Sequence, residues 1–104
     1  MLECINKALL YVQGLELVQF VTDDKTQDAV VRNLEILGEA AKRIPEEVKR
    51  DHPEIPWAQI VGMRNRLVHG YFAIDPRVVW EIVSNELPKL RDDLQKLWEQ
   101  YGKP

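Results

Sequence analysis

The sequence predicts an all-α fold, a bundle of four or five helices in a single domain spanning residues 1–104. Three observations carry that expectation. Apolar residues recur at steps of three and four along most of the chain, as amphipathic helices require. Aspartate, proline and glycine fall where helices should start and stop. No segment shows the apolar–polar alternation of a half-buried strand. A chain of 104 residues is the size of one compact domain, with no room for a second core. So small a domain buries only a modest share of its surface, and pairing with a second copy would enlarge its core.

Taken in order, Leu2, Ile5, Leu9 and Val12 form the stripe of a first helix, which Gly14 stops. Asp23 or Asp24 is the N-cap of the next. Val30, Leu34, Leu37, Ala41 and Ile44 make its seam, with Arg32, Glu35, Glu39 and Lys42 on another face. Gly38 within this helix costs about 1 kcal/mol against alanine, which a close approach by a neighbouring helix would offset. Pro45 suits the first turn of a short helix running to about Asp51. Pro53 and Pro56 punctuate a connection. A further helix is expected from Pro56 or Trp57 through Ile60, Val61, Arg64, Leu67 and Val68 to about His69 or Gly70. Asp75-Pro76 starts the last helix, with the seam Trp80, Val83, Leu87, Leu90, Leu94, Leu97 and Tyr101. Pro88 lies inside that seam and removes the hydrogen bond to the Ser84 carbonyl, so a kink or two abutting helices is expected there.

No apolar run approaches the roughly 20 residues of a membrane span, and Met1-Leu2-Glu3-Cys4 lacks the basic and apolar regions of a signal peptide. The single cysteine, Cys4, forms no internal disulfide, which points to a reducing cytoplasm. The net charge of −3 argues mildly against a nucleic-acid binder. From Ile55 to Ile74, however, the formal charges are Arg64 and Arg66 alone, so that stretch carries +2 against −5 elsewhere. A local positive field in an acidic protein can still attract a phosphate.

The chemistry concentrates in Met63-Arg64-Asn65-Arg66-Leu67-Val68-His69-Gly70-Tyr71. A guanidinium grips a phosphate bidentately. An imidazole gives or takes a proton near neutral pH. The two are sufficient in kind for RNA cleavage without a metal or other cofactor. A base activates the ribose 2′-OH, an acid protonates the leaving 5′-oxygen, and a cation stabilises the charged transition state. On an ideal helix Arg64 and His69 lie about 140° apart. Asn65 and His69, four apart, share a face, so the Asn65 amide could orient the imidazole, and Arg66 is also within helical reach of His69. Either the helix loosens at Val68-His69-Gly70, or the groups converge across a two-fold dimer interface.

Several other residues read as structural. Trp57, Trp80 and Trp98 fit core or interface positions better than base-stacking platforms. His52 fits a surface connection with no role, and Cys4 packs as a small apolar group. Two histidines and one cysteine without ligand spacing argue against a metal site. Glu39 belongs to a polar face, with a supporting place near the cleft left open. Tyr71, on its own, reads as a packing aromatic.

The run Arg64-Asn65-x-x-x-His69-Gly70-Tyr71 resembles the Arg-x4-6-His-x-Tyr motif of HepT toxins in the HEPN superfamily. Lys25 to Val30, Asn33 to Lys42, Pro53-Glu54-Ile55-Pro56-Trp57 and the Trp80-to-Pro88 region resemble the same family, so the likeness covers nearly the whole chain. The first helix departs from it in being several residues shorter, which bears on its packing and not on the active site. The resemblance implies a HEPN-like fold and the toxin of a type VII HepT–MntA toxin–antitoxin system, a metal-independent endoribonuclease acting on RNA such as tRNA or mRNA. Arg64 and His69 match the catalytic pair, and Asn65 the polar residue following the arginine. Tyr71 matches the tyrosine that an MntA-like nucleotidyltransferase antitoxin modifies with AMP. The resemblance also implies a homodimer whose two motifs face one cleft. A different class of function stays open: a non-catalytic, nucleotide- or substrate-binding partner of a separate nucleotidyltransferase, with Arg64 holding a nucleotide phosphate.

Overall fold

The computed structural model describes residues 1–69 and 73–101, His69 through its backbone alone. Gly70 and Tyr71 lie outside the described residues. The fold is all-α, as expected, and no helix among the described residues is long and apolar enough to cross a membrane.

Helix α1 (Leu2–Val12) buries Ile5 and Ala8. Gly14 takes a left-handed φ of 82° just beyond it, where a glycine has no Cβ penalty. A short helix not expected from the periodicity follows, α2 (Leu17–Phe20). Its capping box is made by Glu16 and Gln19, with the Glu16 N–H donating to the Gln19 Oε1 at 2.8 Å. Phe20 is fully buried, its ring 5.4 Å from that of Trp80.

Helix α3 (Asp24–Lys42) is the spine. Asp23 is its N-cap, accepting from the Thr26 N–H at 3.1 Å and the Thr26 hydroxyl at 2.6 Å. The expected seam residues Val30, Leu34, Leu37 and Ala41 are buried, and Ile44 packs partly against them. Helix α4 (Glu46–Asp51) starts directly after Pro45. The connection beyond it is tied down by His52, whose carbonyl accepts from the Trp57 indole at 3.0 Å and whose ring meets Glu54 and the Tyr101 hydroxyl. His52 thus has a structural role that its place between Asp51 and Pro53 does not suggest.

The single helix expected from Trp57 to about His69 is instead two short ones, α5 (Trp57–Val61) and α6 (Met63–Leu67), meeting at Gly62. The chain then turns extended at Val68, with φ −89° and ψ 131°. Two-residue strands β1 (Val68–His69) and β2 (Ala73–Ile74) pair antiparallel, Val68 with Ile74 and His69 with Ala73. The Asp75 N–H donates to the Leu67 carbonyl at 3.0 Å, closing the base of this hairpin.

Helix α7 (Pro76–Glu81) starts where expected, with the Asp75 carboxylate accepting from the Arg77 N–H at 3.0 Å. A π-helical turn, Ile82–Glu86, joins it to α8 (Leu87–Tyr101). That turn is how the helix accommodates Pro88. Ahead of the missing N–H, Leu87 donates to the Ile82 carbonyl in the wide π pattern. Val79, Ile82, Val83, Leu87, Leu90 and Leu94 are buried, Trp80 is half-buried at the edge, and Trp98 and Tyr101 are exposed.

Candidate active site

The site is built where α3 and α6 touch, and Gly38 sets their separation. A Cβ at that position would lie 3.0 Å from the Ile60 carbonyl oxygen and 3.3 Å from the Met63 Cβ. The glycine in the α3 seam is therefore the close approach that offsets its low helix propensity. Five residues make too short a helix to persist by itself. Its anchors are Met63 and Leu67, both buried, while Arg64 and Asn65 are exposed.

Arg64 and Asn65 line a small crevice of about 160 Å³ with Glu35, Gly38, Glu39 and Lys42. Arg64 also borders a larger groove of about 720 Å³ along the outer face of α3. Glu35 and Glu39 line both, so the α3 polar face does lie beside the motif. Lys42 holds Glu39 at 3.1 Å, which offsets one of the two carboxylates. Arg64 itself makes no hydrogen bond or ion pair among the described residues. A free, exposed guanidinium beside a groove is available to a phosphate.

Arg66 is placed differently. Its guanidinium is half-buried and pairs with the Glu86 carboxylate on the π turn, 20 residues away in sequence. Glu86 carries no motif signal, and only the fold reveals it.

Two geometric expectations change with the end of α6 at Leu67. Asn65 and His69 are no longer four residues apart on one helix, so the shared-face argument for Asn65 orienting the imidazole does not apply. The 140° separation of Arg64 and His69 on a helix does not apply either. The chain does yield, but at Val68, before Gly70, and His69 leaves on a strand that folds back along Ala73. The His69 side chain and Tyr71 lie outside the described residues. Among the described residues, no group of three or more His, Cys, Asp and Glu side chains is arranged to hold a metal ion.

The fold is a helical bundle with an exposed arginine beside a groove and a histidine five residues on in a short strand, an arrangement able to meet a phosphate. The comparisons with known proteins place it more closely. The family model described as "Ribonuclease HepT-like" matches residues 1–97, and the chain belongs to that family. It is 51% identical over 78 residues to "Probable ribonuclease HepT" of Thermococcus cleftensis, covering 75% of this chain and 71% of that protein. It is 38% identical over 89 residues to "Putative RNase TTE0752" of Caldanaerobacter subterraneus subsp. tengcongensis, covering 86% and 80%. A third relative, "Putative RNase MJ1216" of Methanocaldococcus jannaschii, is 34% identical over 96 residues, covering 92% and 79%. No solved structure matches the chain.

Proposed function

We propose that this protein is a metal-independent endoribonuclease toxin, with Arg64 and His69 as its catalytic pair and RNA as its substrate. The observation that carries the reading is the Arg64 guanidinium, without a partner among the described residues and exposed on a helix pinned against Gly38, five residues ahead of His69. Membership of the HepT-like ribonuclease family supports it.

In this mechanism Arg64 holds the scissile phosphate and stabilises the charge that develops on it. One imidazole takes the proton of the ribose 2′-OH, the 2′-oxygen bonds to phosphorus, and the bond from phosphorus to the 5′-oxygen breaks. A second proton reaches the departing 5′-oxygen, leaving a 2′,3′-cyclic phosphate on one product. Each chain brings one His69, so a homodimer with a composite cleft provides two imidazoles, one as base and one as acid. Asn65 and Arg66 support the site from α6.

The outer face of α3 suits a second copy. Asp28, Arg32, Glu39 and Arg43 line the groove there, with Ile36 between them and 41% exposed. In an antiparallel pairing about a two-fold axis midway between Glu35 and Ile36, Asp28 comes level with the partner's Arg43 and Arg32 with the partner's Glu39. The charges are thus self-complementary, as an isologous interface requires.

Cleavage of RNA in EDTA tests the reading. Wild type should cleave and leave cyclic phosphate ends, while Arg64→Ala and His69→Ala should each lose about 100-fold or more in kcat. Cleavage that survives both substitutions, or that requires a divalent ion, overturns the mechanism. The regulatory part of the proposal is that an MntA-like nucleotidyltransferase antitoxin transfers AMP to Tyr71, two residues after His69 in the motif, adding a bulky anion that repels RNA. Intact-mass analysis after co-expression should show one added AMP per chain, lost in Tyr71→Phe. An inhibited complex without added mass would remove that step.

A further inference from the structure

We infer that Glu86 is a positioning residue for this site, acting through Arg66 to hold α6, and with it Arg64, against the rest of the bundle. The inference rests on the ribonuclease reading above and names a residue to which neither the motif nor the family description gives a role.

Helix α6 is short and lightly capped. It has five residues and no side-chain N-cap, begins at Gly62 and ends in the extended Val68. Met63 and Leu67 set its depth in the core, and Gly38 sets its distance from α3. Met63 and Leu67 also turn one face of α6 inward, and the Asp75 N–H holds its last carbonyl; what they leave to be set is the tilt of the outer face that carries Arg64 and Asn65. A crevice of about 270 Å³ lies between this part of the chain and the π turn, with Gln59, Met63, Asn85, Glu86 and Leu90 in its lining. Arg66 reaches the carboxylate of Glu86, one of those residues. The pairs Lys7–Glu3, Lys42–Glu39, Lys49–Glu46 and Lys89–Asp93 each join residues one helical turn apart. Arg66–Glu86 instead links two elements that are distant in sequence, with each side chain about one-third exposed.

The π turn supplies the acceptor. A wide turn adds about one residue to the helical repeat, which changes the face presented by its last residue by about 100°. Glu86 is that last residue. Pro88 requires the departure from α-helical bonding, and Glu86 uses the resulting orientation to meet Arg66. A sequence feature that would otherwise only disturb a helix is thereby coupled to the placement of the catalytic arginine.

The pair also keeps Arg66 off the substrate. With the Arg66 charge committed to Glu86, Arg64 is the cation of α6 that has no partner among the described residues, so the phosphate has one register on which to dock.

The test is steady-state RNA cleavage by Glu86→Gln beside wild type and Arg64→Ala. Glu86→Gln should lower kcat about tenfold, because displacing a reacting group by an ångström forfeits much of its effect, while KM stays within about twofold. An exposed pair adds little to folding, so Tm should move by less than about 3 °C. Glu86→Asp should fall between wild type and Glu86→Gln, and Arg66→Glu combined with Glu86→Arg should recover most of kcat. Amide exchange across residues 63–67 should quicken in Glu86→Gln and slow again in the charge-swapped protein. An unchanged kcat in Glu86→Gln, or tighter RNA binding with faster cleavage, overturns the inference. A loss of kcat that the swap does not restore overturns it as well. Arg64→Ala separates the two levels. If that variant cleaves as wild type does, the ribonuclease reading itself fails; if it is inactive while Glu86→Gln is not, only the positioning role fails.

Discussion

At the scale of single residues, the site depends on atoms that are absent as much as on those present. Gly38 has no Cβ, and the 3.0 Å that one would leave to the Ile60 carbonyl oxygen is tighter than most Cβ contacts, so that the neighbouring backbone must give way. Gly38→Ala gains about 1 kcal/mol of helix propensity but must push backbone, which costs roughly 1–3 kcal/mol. The expected net result is a lower Tm, together with slower cleavage because α6 carries Arg64 on the displaced side. A variant that is more stable and fully active would show that the contact is soft. Asp23 makes a second prediction, for pH. Hydrogen bonds from the Thr26 hydroxyl and backbone N–H hold its carboxyl below the ordinary value of 3.8. A depressed carboxylate stabilises the fold above its unfolded value and loses that contribution as pH falls through the folded one. Asp23→Ala should therefore melt below wild type at neutral pH, and the gap should close in acid below pH 3.8. A gap that persists there would mean that Asp23 acts by packing rather than by capping α3.

At the scale of elements, the paired strands decide how the chain of the motif runs from Arg64 to His69. The sequence points to one helix running to His69 or Gly70, because Ile60, Arg64, Leu67 and Val68 keep helical spacing. That spacing is real as far as Leu67. Beyond it, β-branched Val68 and Ile74 flank a glycine-containing stretch, a weak hairpin signal that tertiary packing was needed to settle. Other elements were legible because their signals are local: the Asp23 and Asp75 caps, the Gly14 stop, the α3 seam and the break before Pro88. Helix α2 was not, since its capping box uses Glu16 where serine or threonine is usual. The Arg66–Glu86 pair was invisible because no spacing relates residues 20 apart. The candidate pair Arg64 and His69 could be picked out by chemistry and resemblance, but the path of the chain between them could not. Asp75 tests this element, since it caps α7 with its side chain and closes the hairpin with its N–H. Asp75→Ala keeps the N–H that bonds Leu67 and removes the α7 cap, so it should cost about 1 kcal/mol, or about 4–8 °C in Tm. Asp75→Asn, which keeps a capping oxygen, should recover most of the stability. A variant that loses no stability would show that the start of α7 is held by other contacts.

At the scale of the whole molecule, the proposed two-fold assembly makes predictions about both proton transfer and surface charge. Cleavage moves one proton off the 2′-oxygen and another onto the 5′-oxygen, and the proposed two-fold cleft provides an imidazole for each. The α3 face sets the register in which two copies would meet. Arg32→Glu should leave the partner's Glu39 facing a like charge, and Glu39→Arg should do the same in reverse. Each should shift the mass measured by light scattering from that of a dimer to that of a 12.1 kDa chain. Combining the two substitutions restores opposite charges across the axis and should restore the dimer. Single reversals that stay dimeric, or a double variant that stays monomeric, would place the interface on another face. Activity then reads the composition of the cleft. If both imidazoles are needed, a mixed dimer of wild type and His69→Ala is inactive. Cleavage should then follow the square of the wild-type fraction, so that equal mixing and exchange leave about a quarter of the rate. If each chain cleaves alone, half the rate remains, and the two-imidazole mechanism gives way to one in which a single His69 serves as base and then as acid.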